Sequence, residues 1–160
     1  MSDILVVDSS WLLHRSKHTI GYILSHNDMK TGVMFGFFWS MFKFCKDYKT
    51  SKLIFCFDSR ENLRKQYYSG YKFKRTTQEK TEFETLMDNA AFEQFKLIPK
   101  LLQQLGFHHI YRRKGFESDD LIASICISNP QYRDRLIVIS NDNDLLQLLP
   151  YCKGIVNAKG

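Results

Sequence analysis

Four short runs of apolar, largely β-branched residues each deliver a carboxylate at or just beyond their C-terminal end, and this coupling constrains the chain more than any other feature. Ile4-Leu5-Val6-Val7 ends on Asp8, and Leu53-Ile54-Phe55-Cys56-Phe57 ends on Asp58. The third run, Phe107 to Tyr111, is followed by Glu117, Asp119 and Asp120; the fourth, Leu136-Ile137-Val138-Ile139, by Asp142 and Asp144. Unbroken apolar runs of this length are the mark of strands buried on both faces. The segments between them have helical spacing. Ser9 and Ser10 read as caps of a first helix, and Thr31 opens a second with Val33, Met34, Phe37, Phe38, Met41, Phe42 and Cys45 on its apolar face. A third pattern runs from about residue 77 to Leu105, with Pro99 as a kink or restart and Gly106 as its stop. Leu121, Ile122, Ile125 and Cys126 line a fourth helix, and Leu145 to Leu149 a short fifth. Strands alternating with helices predict βαβ units, hence an α/β fold of three layers on a mainly parallel sheet, as one domain over residues 1–160.

In such a sheet, functional groups collect beyond the carboxyl ends of the strands. If the four strands are neighbours, Asp8, Asp58, Glu117, Asp119, Asp120, Asp142 and Asp144 converge on one edge. They repel one another unless some are protonated or cations sit among them. Hard oxygen donors suit Mg²⁺ or Mn²⁺, and two such ions activate a water and stabilise a leaving oxygen. Each acid also has a plainer role. Asp8 suits a turn or cap, Asp119 and Asp120 a first helical turn, and Asp142 with Asp144 an Asx turn. Repetition at the end of every strand favours the metal reading, because the plainer roles would have to hold independently.

The chain holds 23 Lys plus Arg against 17 Asp plus Glu, a net charge of +6. Nearly all of that excess lies between Ser59 and Lys80, where Arg60, Arg64, Lys65, Lys72, Lys74, Arg75 and Lys80 face only Glu61 and Glu79. Tyr67, Tyr68, Tyr71 and Phe73 interleave with these cations. Cations that take phosphates and rings that stack on unpaired bases make a single-strand binding surface. A solvated amphipathic helix with its tyrosines on the core has the same composition, which does not separate the two. Arg112-Arg113-Lys114 is a smaller basic patch that serves equally to counter the nearby acids. His14 and His18 suit a helix surface, and His108 and His109 a structural role.

Other chemistries find no support. The four cysteines show no C-x-x-C pairing, so they read as reduced core thiols rather than a zinc site or a disulfide frame. No apolar run approaches the roughly 18–20 residues that span a bilayer, and no secretory leader pattern follows Met1, so a cytoplasmic protein is expected. There is no G-x-S-x-G elbow, P-loop or G-x-G-x-x-G.

Five ordered motifs carry a family resemblance. They are Leu5-Val6-Val7-Asp8-Ser9-Ser10; Phe57-Asp58 followed by Arg64; Tyr71-Lys72-Phe73-Lys74-Arg75; Gly115-Phe116-Glu117-Ser118-Asp119-Asp120; and Ser140-Asn141-Asp142-Asn143-Asp144-Leu145-Leu146-Gln147-Leu148. Together they resemble the nuclease domain of the 5′→3′ exonuclease and flap endonuclease family, which includes the N-terminal part of bacterial DNA polymerase I and phage 5′ nucleases. Thr31 to Phe37 resembles the family's early helix. The resemblance implies a PIN-like core with a helical arch at about residues 59–100, cutting phosphodiesters in DNA by two-metal hydrolysis. By the same matching, Asp8, Asp58, Glu117 and Asp119 surround one Mg²⁺ or Mn²⁺ with Asp120 close by, and Asp142 and Asp144 hold a second. Lys72 and Arg75 contact the scissile phosphate, Tyr71 stacks on an unpaired nucleotide, and Arg60, Arg64, Lys65 and Lys74 join the DNA-binding surface. Asn141 and Asn143 stand where the family carries Gly and Lys.

The family continues into a helix–three-turn–helix segment that grips duplex DNA and adds aspartates to the second site. The 160 residues do not include that segment, so the second ion is expected to be weakly held and a partner or further C-terminal region is expected to complete the protein. The implied substrate is DNA with 5′ single-stranded ends or flaps, with RNA strands in hybrids admitted. Two other classes remain beside it. A phosphoacceptor receiver domain also places acids like Asp8 and Asp58, but leaves Asp119, Asp120, Asp142, Asp144 and the basic stretch without a role. A nucleic-acid-binding protein with a weakened site is the other.

The motif assignment separates two kinds of cation. Lys72→Ala and Arg75→Ala are expected to slow single-turnover cleavage at least about tenfold with a smaller effect on affinity. Arg64→Ala and Lys65→Ala are expected to weaken binding and flatten its salt dependence. Equal effects at all four would mark the segment as a generic basic surface.

Overall fold

The structure, a computed structural model, describes residues 2–59, 61, 63 and 81–157. Five parallel strands form its sheet in the order β5-β4-β1-β6-β7: β1 (Ile4–Asp8), β4 (Leu53–Phe57), β5 (Ile110–Arg112), β6 (Leu136–Ile139) and β7 (Gly154–Val156). Leu5 pairs with Leu53 on one side of β1 and with Ile137 on the other. From the central β1 the chain moves first to β4 and β5, then crosses to β6 and β7. The switch point therefore lies at the carboxyl end of β1, where the crevice of an open α/β sheet forms.

Side-chain alternation along the strands divides the core into two clusters. Leu5, Val7, Phe55, Phe57, Ile137 and Ile139 face one side, against α1 (Ser9–Thr19), α2 (Gly32–Asp47) and α3 (Glu82–Gln104). Val6, Cys56, Leu136 and Val138 face the other, against α4 (Ser118–Ser128) and a 3-10 helix at Asn143–Tyr151. Helices on both faces of a parallel sheet make the expected three layers. Cys56, Cys126 and Cys152 are buried and all four cysteines are free thiols, as expected of core residues.

Several boundaries differ from the sequence expectation. Asp8 caps α1 by accepting from the Trp11 amide at 3.0 Å, which leaves Ser9 and Ser10 inside the first turn. The third strand begins three residues late, because Gly106 takes a positive φ of 88° and the following turn buries Phe107 partly in the core before pairing starts. Within the described residues, α3 starts at Glu82 behind a capping box, in which the Thr81 hydroxyl accepts from the Glu84 amide at 3.2 Å. The helix continues through Pro99 to Gln104. The polar segment after α1 contains a small hairpin, β2 (Ser25–His26) and β3 (Met29–Lys30), turned by Asn27 and Asp28, both at positive φ. The short fifth helix is 3-10 in form, and β7 and a 3-10 turn at Pro130–Arg135 are additional.

Two close contacts seat the helices. A Cβ at Gly32 would stand 2.1 Å from the Ile20 carbonyl oxygen, so only glycine starts α2 against the end of α1. Lys17 of α1 and Asp88 of α3 form a buried ion pair at 2.5 Å, with the Tyr22 hydroxyl donating to the same carboxylate at 3.2 Å. The Lys17 ammonium also lies 5.3 Å from the centre of the Phe92 ring. This pair ties α3 to α1. Removing one partner of a buried pair leaves an uncompensated charge, so Asp88→Ala should cost about 3–5 kcal/mol in urea unfolding. A loss below about 1 kcal/mol is the behaviour of an exposed pair and would contradict this role.

Candidate active site

Asp8 ends the central strand with only 3% of its surface exposed. Three donors hold it. The Trp11 amide and the Ser118 hydroxyl each donate to Oδ1 at 3.0 Å, and the Ser140 hydroxyl donates to Oδ2 at 2.8 Å. Burial raises the Asp8 pKa above its ordinary value; the three hydrogen bonds oppose that shift and the Asp58 charge adds to it. The carboxylate is thus tied to α1, α4 and the end of β6 at once.

Asp58 follows β4. Its backbone N–H donates to the Ser10 hydroxyl at 2.7 Å, and its Oδ1 accepts from the Ser118 amide at 2.7 Å. Ser118 therefore contacts both acids, through its hydroxyl and its backbone. The Ser59 hydroxyl accepts from the Gly115 amide at 3.1 Å, where a φ of 89° and a packed Leu63 leave no room for a side chain. Glu117 is buried ahead of α4, and its amide donates to Asp120 Oδ2 at 2.9 Å. Asp120 thus serves the helix start, as the dipole argument allows.

Asp119 is the electrostatic focus. Burial, followed by the charges of Asp8, Asp142, Asp58 and Glu117, raises its pKa to about 7. Four of the other six expected acids thus lie within electrostatic reach of Asp119. Asp142 and Asp144 are exposed; Asp142 accepts from the Asp144 amide at 2.9 Å, the Asx turn of the plainer reading, while Asp142 also contributes to the Asp119 shift. Among the described residues, no three His, Cys, Asp or Glu side chains stand in a ready-made ligand arrangement. The donor set still fits a hard divalent cation. It is all carboxylate, four of its members raise the proton affinity of Asp119, and among the described residues Asp8 Oδ2 accepts a single hydrogen bond where an oxygen can accept two.

Arg60, Arg64, Lys65, Tyr71, Lys72, Lys74 and Arg75 lie outside the described residues. The smaller basic patch is described: Arg112 stacks 5.3 Å from the centre of the Phe57 ring, Arg113 lies 4.8 Å over Phe116, and Lys114 pairs with Glu61 at 3.1 Å. Sequence reasoning did not assign Ser10, Ser118 and Ser140 to the site. Their signal was adjacency, since Ser118 and Ser140 sit inside the two acidic motifs.

The model of the family described as "5′-3′ exonuclease, N-terminal resolvase-like domain" matches residues 3–158. The chain belongs to this family. It is 28% identical over 148 residues to a 5′-3′ exonuclease of Buchnera aphidicola subsp. Schizaphis graminum, covering 91% of this chain and 48% of that protein. It is 32% identical over 149 residues to DNA polymerase I of Treponema pallidum, covering 91% of this chain and 14% of the polymerase. The chain thus spans about half, or less, of the length of these relatives. Two structures of the T5 D15 protein share its fold. One, crystallised with metal ions, aligns with a TM-score of 0.71 at 24% identity over 91% of this chain and 51% of that one. The other, a flap endonuclease pseudo-enzyme–product complex with DNA and metal ions, aligns at 0.68 and 23% identity over 89% and 50%. This fold match agrees with the expected PIN-like core.

The raised pKa values of Asp8 and Asp119 set a pH dependence for the metal-free protein. A carboxyl that binds its proton more tightly folded than unfolded stabilises the fold at low pH and loses that contribution as pH rises through its folded pKa. Stability in EDTA should therefore fall between about pH 4 and pH 7, the upper limit being the Asp119 value. Asp119→Asn should flatten the fall. Thermal unfolding against pH checks this, and a wild-type stability that climbs across the window would contradict it.

Proposed function

We propose that this chain is the catalytic part of a metal-dependent 5′-nuclease, hydrolysing phosphodiester bonds in DNA with 5′ single-stranded ends or flaps. The observation that carries the reading is the convergence of Asp8, Asp58, Glu117, Asp119 and Asp142 at the switch point of the sheet. The relatives add support: the Buchnera protein is a 5′-3′ exonuclease, and the T5 protein is a flap endonuclease crystallised with DNA and metal ions.

Bound Mg²⁺ or Mn²⁺ would supply an activated water and neutralise the charge that develops on the phosphate and the leaving oxygen. The chain's own residues hold and orient. Ser118 and Ser140 fix the Asp8 carboxylate from two elements, and the Ser118 amide holds Asp58, so both acids reach the edge in set rotamers. Asp119, beside four other acids, holds its proton up to about pH 7, and cations in the site would favour its release. Glu117 and Asp119 complete a first ligand set with Asp8 and Asp58, with Asp120 beside it. Asp142 and Asp144 contribute to a second, weaker one. Outside the described residues, Lys72 and Arg75 contribute cations at the reacting phosphate, and Arg60, Arg64, Lys65, Tyr71 and Lys74 hold the strand. RNA strands in hybrids are admitted on the same chemistry, and cleavage is 5′→3′ exonucleolytic, endonucleolytic at flaps, or both. A further C-terminal region or a partner protein would complete the grip on duplex.

The deciding experiment is cleavage of a 5′-labelled flap with Mg²⁺ or Mn²⁺, against an EDTA control. Asp58→Asn keeps the oxygen that accepts the Ser118 amide, so the variant should fold like wild type while cleavage drops by about a hundredfold or more. Wild-type cleavage by Asp58→Asn would overturn the metal assignment. DNA binding by the wild-type chain with no cleavage in either metal would favour a binding protein with a weakened site.

A further inference from the structure

A second concave feature opens beside the acidic edge. A cavity of about 300 Å³ is lined by Ser10, His14, Asp58, Phe92, Lys96 and Arg112. That volume lies at the lower end of the range for small-molecule sites. Four elements meet there: α1 brings Ser10 and His14, the end of β4 brings Asp58, α3 brings Phe92 and Lys96, and β5 brings Arg112.

The walls combine three chemistries. One is aromatic. His14 and Phe95 pack edge-to-face at 5.1 Å, Phe92 and Phe95 at 5.3 Å, and His14 and Phe92 at 6.4 Å. Phe92 nevertheless keeps 40% of its surface exposed, so part of the ring remains available to a ligand. The second is cationic. Arg112 lies 5.3 Å from the centre of the Phe57 ring on the cavity floor, and Lys96 stands at the rim. Lys96 pairs with Glu93 one turn back on the same helix, an exposed pair of the weak kind that a phosphate readily displaces. The third is Asp58, an acceptor that the cavity shares with the acidic edge.

We propose that this cavity takes a single nucleoside 5′-phosphate unit, the nucleotide on the 5′ side of the bond to be cut. Its 5′-phosphate lies toward Lys96 and Arg112, its base rests against the exposed Phe92 ring, and its 3′ oxygen points to Asp58 and the acidic edge. The proposal rests on the nuclease reading for the identity of the cut bond, while the nucleotide chemistry stands on the lining itself. An aromatic surface accepts any base, and cations that line the same cavity as Asp58 favour a terminal phosphate over a hydroxyl. The cavity would therefore make the enzyme sense the phosphorylation state of a 5′ end.

The test uses the whole chain in EDTA with deoxyadenosine 5′-monophosphate and deoxyadenosine as probes. Neither contains a phosphodiester, so hydrolysis plays no part. Titration is followed by the amide chemical shifts of residues 10–14, 57–59 and 92–96. The monophosphate should bind at least about tenfold more tightly than the nucleoside, through charge-assisted contacts to its phosphate. Lys96→Ala should remove most of that difference, and Phe92→Ala should weaken both probes. Both side chains are exposed on α3, and an unchanged thermal unfolding midpoint establishes that each variant folds. Equal binding of the two probes, no saturable shift change at these residues, or monophosphate affinity within twofold of wild type in both variants would overturn the proposal. The two readings fail separately. Flap cleavage without discrimination between the probes removes the pocket and leaves the nuclease, while discrimination without cleavage leaves a nucleotide site on a chain that is no nuclease.

Discussion

The buried carboxylate of Asp8 is the constraint on which the site depends. It ends the central strand at the point where the chain reverses its direction across the sheet. An unpaired charge there would be costly, and three donors from three different elements offset that cost. Those donors do more than satisfy one acid. By binding Asp8, Ser118 fixes the start of α4, which carries Asp119 and Asp120, and Ser140 fixes the loop that carries Asp142. The Ser118 amide then reaches Asp58. One buried group thus sets the relative positions of acids that lie more than a hundred residues apart in the chain.

Like charges assembled this closely work against the fold, and Asp119 registers the conflict most clearly, with its proton affinity raised by burial and by four neighbouring acids. On the proposed function, divalent cations at this edge would neutralise the same arrangement. Stability of the metal-free protein and affinity for metal would then oppose each other, as in sites that trade stability for function. The helices around the edge are correspondingly well anchored. Gly32 lets α2 start against the end of α1, and the Lys17–Asp88 pair clamps α3 to α1.

Much of this was legible in the residues, for physical reasons. β4 and β6 have the bounds of their apolar runs, and β1 extends its own only by Asp8, because strands buried on both faces have no polar residue to blur their limits. The carboxylates were legible because they punctuate those runs. β5 shifted because Phe107, though apolar, packs into the core from a turn, and pairing with β4 waits until Ile110. β7 is a three-residue edge strand, too short for a periodic signal. The Asn27-Asp28 turn was within reach, since such pairs tolerate positive φ, but flanking strands of two residues each left no alternation to read. The serines were the substantial omission. Ser118 and Ser140 look like helix-start and turn residues locally, and their role exists only through contacts with Asp8 across 110 and 132 residues of chain.

The central claim is that these acids share divalent cations at the carboxyl edge of the sheet. Anomalous diffraction from crystals of the protein grown with Mn²⁺ tests it most directly. The account predicts a strong peak within about 2.0–2.5 Å of carboxylate oxygens from Asp8, Asp58 and Asp119, a distance set by hard-cation coordination, with a weaker peak toward Asp142. Manganese found only elsewhere on the protein, with that edge empty, would contradict it.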